Sequence, residues 1–402
     1  MTETSSGGGI ALMLSGGGAR AAYQVGVLRY IGRQRPEGAF PIITGVSAGA
    51  INAAYLASHV GSLAESTESL GEHWCGLTTR DVFRADPLTI LRITLRWLYA
   101  MASGRSRIGP QARSLVHTRP LRTFLEGAMD LRGIDENLEA GRLREVAITA
   151  TSYQTGQTVT FVHGEPGTPL WHRPQRRAVR DRISIDHVMA SSALPLVFPA
   201  IQVHDGYYGD GSIRQAAPLA PAVHLGADRI LSISARYGRS VEEAAVPSVD
   251  EYPPPAQVMG LLFNNIFLDA LDADATRLER INRLLEACDN DADRLSDLRK
   301  VDLLLLRPSE DLGALAARFR SELPRFLRFL ISGLEGESRS SDFVSYLLFA
   351  ERYLTYLMEL GEKDAEAQWP RIVEFLGWDE EDGAAGGDAG EAQAEASVRP
   401  RT

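Results

Sequence analysis

Three short stretches carry residues whose types and spacing could do covalent chemistry. At 45–49 the chain reads Gly45-Val46-Ser47-Ala48-Gly49, a G-x-S-x-G pattern that closes a β-rich run and opens an Ala-rich helical one. Small residues at Gly45 and Gly49 let a strand turn sharply into a helix. That turn lifts the Ser47 hydroxyl above the sheet edge, at the positive end of the helix. A serine hydroxyl is a poor nucleophile until a base takes its proton. Asp210, held between Gly209 and Gly211, is the candidate base. The third stretch, Gly16-Gly17-Gly18 after the apolar run that starts at Ile10, offers backbone N–H groups free of any Cβ to an anion. That anion is either the permanent phosphate of a nucleotide or the transient oxyanion of acyl transfer. Each stretch also has a plainer reading: Ser47 as a helix N-cap, Asp210-Gly211 as a hairpin turn, and the glycines as a linker. The linker reading suits Gly7 to Gly9 better, because nothing regular precedes them.

The elements that would position these residues alternate β-rich runs with helical patterns, which predicts an α/β core with a mainly parallel sheet. Strand candidates lie at 10–15, 41–47, 144–153, 157–163, 228–235 and 300–308. Residues 1–9 and the acidic tail 378–402 lack periodicity and are expected to be disordered. The expected division is a catalytic domain at 10–235, a Pro-rich acidic loop at 236–256 and a mostly helical region at 257–377. Within the first lies a helical, Arg-rich insertion at about 75–135. Between Arg80 and Arg113, seven arginines face two aspartates and are interleaved with Trp97, Tyr99 and aliphatic residues. Such a segment fits an anionic lipid interface or, equally, an amphipathic helix packed on the core.

Composition sets limits. With 402 residues, 44% hydrophobic and 23% charged, the chain can bury a sizeable core. A net charge of −10 argues against a general nucleic-acid binder, which needs a basic face. Cys75 and Cys288 stand alone, with no CxxC and no histidine cluster, so neither a disulfide framework nor a zinc site is expected. No run reaches the roughly 18 apolar residues of a spanning helix. The expected setting is cytoplasmic, with peripheral contact to a membrane, and no cofactor or metal is called for.

Together the stretches resemble the patatin-like phospholipase family over roughly residues 10–235. In that family a G-G-G-x-R turn forms the oxyanion hole, G-x-S-x-G bears the nucleophile, and D-G-G/A bears the base of a Ser-Asp dyad. Ser15 to Arg20, Gly45 to Gly49 and Asp210 to Ser212 follow in that order, and "ASSALPLVFPAI" at 190–201 is similar to the family's stretch before the aspartate. The resemblance implies a three-layer α/β/α fold and hydrolysis of lipid carboxylic esters, phospholipid or lysophospholipid first. It implies Ser47 as nucleophile and Asp210 as base, with an oxyanion hole from Gly16, Gly17, Gly18, Ala19 and Arg20. Arg20 would anchor the loop or attract an anionic head group. Gly45, Gly49 and Gly211 support the turns. Ala21, Ser212 and Ala216 depart from the family's Gly, Gly/Ala and Asn, which bears on loop packing more than on the reaction.

Two other classes remain at this stage. Gly16-x-Gly18-x-x-Ala21 also satisfies a dinucleotide-binding fingerprint, although the second strand would then need to end in an acidic residue instead of Gly45-Val46-Ser47. A non-catalytic membrane-associated protein on the same fold is the second. A Ser-Asp-His triad would need a histidine after the acid, and only His224 follows Asp210.

Overall fold

The computed structural model describes residues 9–84, 95, 116–195, 197–245, 252–287, 298–325, 327–329, 332 and 342–378. The expectations for residues 1–8, for most of the Arg80–Arg113 segment and for the tail beyond Trp378 lie outside the described residues.

Apolar runs of four to eight residues bounded by turn residues become strands here, and their side chains alternate between two cores. In β1 (Gly9–Leu14), Leu12 and Leu14 join the larger core, whereas Ala11 and Met13 join the smaller one on the other face. The remaining strands are β2 (Ile42–Val46), β3 (Glu145–Ser152), β4 (Thr158–Gly164), β5 (Arg176–Arg180), β6 (Ile201–Val203), β7 (Gly206–Asp210), β8 (Ala227–Ile233) and β9 (Asp302–Leu306). They form one nine-stranded sheet, ordered β5-β4-β3-β2-β1-β8-β9, with β7 paired to β3 and β6 to β7. The run β3-β2-β1-β8-β9 is parallel, and β4 and β7 run antiparallel to β3. Helices cover both faces, giving the three-layer α/β/α architecture with a helical C-terminal region. β9 comes from beyond residue 300 yet pairs with β8, so the sheet draws on both halves of the chain.

One detail of register positions the site. β2 ends at Val46, paired with Thr149 of β3, and β7 takes over the same edge of β3 one residue later, pairing Asp210 with Ala150. The residue after Val46 and the last residue of β7 are therefore neighbours by construction.

The larger core holds α1 (Ala22–Gln34), α2 (Ala48–Ser58) and α3 (Leu63–Cys75) with the C-terminal helix Glu351–Ala367. The α3 start is fixed by a capping box between Ser62 and Glu65. Helix Glu351–Ala367 approaches α1 so closely that a Cβ on Gly26 would lie 2.0 Å from Met358 O, and one on Gly361 would lie 2.3 Å from Tyr23 O. Gly26→Ala is expected to cost about 1–3 kcal/mol or more, because two backbones must part. Gly127→Ala, on an exposed helix position with nothing within 4 Å, should be neutral or stabilising. Urea midpoints of the two variants check the contrast.

Candidate active site

Ser47 sits between β2 and α2 with φ 55° and ψ −131°, a left-handed backbone that a non-glycine residue adopts only when its surroundings enforce it. The enforcement is steric. A Cβ on Gly45 would lie 2.5 Å from Gly49 O and 2.7 Å from Ala53 Cβ, and one on Gly49 would lie 2.3 Å from Leu14 O. Only glycine at both positions lets α2 start directly on the strand end. Ser47 occupies the N-cap position, yet its side chain makes no capping bond. Instead Oγ donates to Asp210 Oδ2 at 2.6 Å. The plainer N-cap reading is thereby replaced.

Asp210 ends β7, and its Oδ1 accepts the Ser212 N–H at 2.9 Å. The hairpin turn of this ribbon lies instead between Val203 and Gly206, so Asp210-Gly211 is no hairpin turn. Gly211 has no room for a side chain, since its Cβ would lie 2.2 Å from Thr149 O. Asp210 is wholly buried, and burial pushes its carboxyl from an ordinary 3.8 up to about 7, against the opposing hydrogen bond from Ser47. A carboxylate with an ordinary pKa is a feeble base near neutrality; this one is poised there.

The glycine turn lies against the serine. A Cβ on Gly16 would meet Ser212 Oγ at 2.9 Å and Ser47 Cβ at 3.1 Å. Gly18 has φ 56°, and a Cβ there would lie 2.3 Å from Tyr346 O, so glycine is required on both counts. Among the described residues the N–H groups of Gly17 and Gly18 have no acceptor, whereas the Arg20 N–H is taken by Gly17 O at 3.2 Å. Ala19 and Arg20 lie in the short 3-10 turn Gly18–Ala21. The Arg20 side chain points the other way: Nε donates to Ser345 Oγ at 2.6 Å, Nη2 to Asp342 Oδ1 at 3.0 Å, and the guanidinium lies 4.3 Å from the Tyr346 ring centroid. Of the two roles expected for Arg20, anchoring the loop is the one its placement fits. With its N–H and its guanidinium both engaged, neither an oxyanion donor nor a head-group receptor is left.

Ser191 was not singled out by residue type. Its Oγ accepts the Ser47 N–H at 3.0 Å and donates to Thr149 O at 2.6 Å, tying the serine turn to β3. The "ASSALPLVFPAI" stretch contains it, but nothing in the pattern says which serine points inward. Ser191→Ala leaves the buried Ser47 N–H unpaired. It should cost about 1–3 kcal/mol of stability and lower turnover, checked by denaturation and by ester-hydrolysis assays on the same preparation.

Ser47 and Gly18 open onto an apolar cavity of about 50 Å³, walled by Ile51, Tyr55, Trp74, Leu121, Phe124, Leu125, Phe198 and Phe349 among others. Such a lining suits a hydrocarbon chain and includes no aspartate, glutamate, lysine or arginine. His224 lies elsewhere, stacked on Trp171 at 4.8 Å, and supplies no third member to Ser47 and Asp210. Asp181, His187 and His204 are the one group with metal-ligand spacing among the described residues. His187 Nδ1 accepts the Ser184 N–H at 3.1 Å, which puts its proton on Nε2, toward Asp181 Oδ2 at 3.4 Å. His204 Nε2 is hydrogen-bonded to Asp181 Oδ2 and His187 faces the same oxygen, so the group brackets the β6–β7 turn to the helix that carries Ser191, and with its proton on Nε2 His187 offers a metal no lone pair there.

A mainly parallel α/β/α sheet with a serine on a strained strand-to-helix turn, a glycine turn against it and an apolar cavity beyond defines the class of lipid acyl hydrolases. The family model for patatin-like phospholipase matches residues 12–223, more than half of the chain, and the chain belongs to that family. The dinucleotide-binding alternative falls with it. No curated protein sequence matches significantly. Among solved structures the chain is similar to VipD from Legionella pneumophila, at 13% identity and a TM-score of 0.38, covering 92% of this chain and 69% of that one. It is also similar to human GIVD cytosolic phospholipase A2, at 13% identity and a TM-score of 0.42, covering 92% of this chain and 62% of that one.

Proposed function

We propose that Ser47 and Asp210 hydrolyse the carboxylic ester of a phospholipid or lysophospholipid through an acyl-enzyme. The observation that carries this reading is the 2.6 Å hydrogen bond from Ser47 Oγ to a fully buried Asp210 whose pKa lies about 7. Ser47 Oγ attacks the acyl carbonyl while its proton passes to Asp210. The tetrahedral oxyanion is received by the N–H groups of Gly17 and Gly18, with Gly16 keeping the space open. Collapse expels the alcohol, which takes the proton from Asp210, and Asp210 next draws a proton from water as that water attacks the acyl-enzyme. The acyl carbons next to the scissile carbonyl face the apolar cavity beside Ser47.

Contact with lipid is supported by the segment from Tyr252 to Leu268, which carries no charged residue in a chain that is 23% charged. Its helix, Pro255–Asn264, buries Phe263 in the core yet leaves Leu261 58% and Leu262 52% exposed. A helix that is apolar on its solvent side as well is suited to lie in a bilayer interface. Phe267, at the end of the same stretch, would lie 3.4 Å from a Cβ on Gly16, so this surface adjoins the serine. No described helix is long and apolar enough to cross a membrane, which fits a peripheral mode of contact.

A fluorophosphonate probe tests the reading. Wild type is expected to label and Ser47→Ala to stay unlabelled. Labelling of Ser47→Ala, or a wild type that neither labels nor hydrolyses any acyl ester, overturns it and leaves a non-catalytic member of the family.

A further inference from the structure

A second cavity, of about 380 Å³, lies at the same sheet edge as Ser47 and behind the turn that follows Asp210. β3 pairs Ala150 with Asp210 and Thr151 with Thr158, and β4 in turn pairs Thr158 with Arg176. It has no lining residue in common with the apolar cavity. Its character is opposite. Arg173, Arg176 and Arg214 reach into its wall, and no aspartate or glutamate does.

In a chain of net charge −10 that concentration is unusual, and the fold pairs many of its other arginines. Arg29 and Arg33 share Glu68 and Glu362, Arg180 holds Glu145, and Arg307 holds Asp272. Arg173, Arg176 and Arg214 make no ion pair among the described residues. Asp274 is close enough to feel Arg176, but its oxygens are engaged by the Leu219 N–H and by Arg277. The uncompensated field reaches the neighbouring His224: burial, then Arg176 and Arg173, hold that imidazole below its ordinary pKa.

We infer that this cavity binds a phosphate ester. The guanidinium groups grip the phosphate oxygens, for which their planar fork is suited. A soluble polyol phosphate and a glycerol-bearing phospholipid head group share this chemistry. The site does not depend on the reaction at Ser47, and binding by an inactive variant separates the two readings.

The test uses the full chain carrying Ser47→Ala, so that no lipid is consumed. Calorimetric titration with glycerol 3-phosphate and co-sedimentation with vesicles of equimolar phosphatidylcholine and phosphatidylglycerol are run side by side. Arg176→Gln/Arg214→Gln is compared with Arg280→Gln, an exposed arginine outside the cavity, and unfolding curves confirm that each variant folds. Saturable glycerol 3-phosphate binding, weakened about tenfold or more by the double variant alone, supports a soluble ligand. Binding to the anionic vesicles only, with the same sensitivity, supports a head group. Absence of binding to either, or equal binding by the double variant and the control, overturns the inference.

Discussion

Ser47→Ala is expected to lower ester turnover by a factor on the order of 10⁴ or more while the fold stays intact. The size of the loss follows from a covalent route: without Oγ there is no acyl-enzyme, and only the glycine turn and the apolar cavity remain to favour a direct attack by water. The fold should persist because Oγ caps no helix, and its one hydrogen bond is to Asp210. Alanine keeps a Cβ and therefore the strain of φ 55°. Ser47→Gly removes both, so it should be as inactive as Ser47→Ala yet more stable by about 1 kcal/mol. Steady-state hydrolysis of a p-nitrophenyl acyl ester and urea unfolding of both variants measure this. Residual turnover within tenfold of wild type would assign the nucleophile elsewhere.

The parts of this site that were legible in the sequence are those whose chemistry forces a local pattern. A strand that turns into a helix without a loop requires Gly45 and Gly49, and a turn pressed beneath Tyr346 requires Gly18. Each leaves a readable trace. Strands β1 to β4, β8 and β9 declared themselves as apolar runs because both of their faces are covered. β5 did not, because Arg-Arg-Ala-Val-Arg at 176–180 lies at the edge of the sheet, where only Ala178 is buried and the charged residues leave no apolar run to read. β6 has only three residues, too few for any period.

What pattern could not reveal is pairing between distant segments. Arg20 stands 322 positions from Asp342, yet that contact, with Ser345 and Tyr346, fixes the glycine turn from the C-terminal region. The neighbourhood of Ser47 and Asp210, 163 positions apart, arises because β7 replaces β2 along one edge of β3. Composition says nothing of such an exchange, and the motif resemblance supplied what periodicity could not. The Ser191 bridge belongs with these long-range contacts: its role exists only once β3 and β2 are side by side.

Activity and stability should respond to pH in opposite directions through Asp210. As a base it must be ionised, so kcat/KM is expected to rise with pH through about 7 and to fall away below it, as the free enzyme's Asp210 takes up a proton. Stability runs the other way. The folded pKa of about 7 exceeds the ordinary 3.8, so between these values the folded chain holds a proton that the unfolded chain has lost. Stability is greatest on the acid side of this window, declines as pH rises through it and levels off above about 7. Each pKa unit corresponds to about 1.4 kcal/mol, so a difference of about three units sets an upper limit of about 4 kcal/mol for the cost of the buried charge. Asp210→Asn removes that charge while its side-chain oxygen can still accept one of the two hydrogen bonds. The variant should lose turnover by a factor on the order of 10³ or more. It should also lack the acidic limb in any residual activity and melt higher than wild type at pH 8, with the gap closing toward pH 5. Activity profiles and melting curves of both proteins across that range decide it: an unchanged acidic limb in Asp210→Asn, or a variant less stable than wild type at pH 8, would remove Asp210 from the role of a buried, costly base.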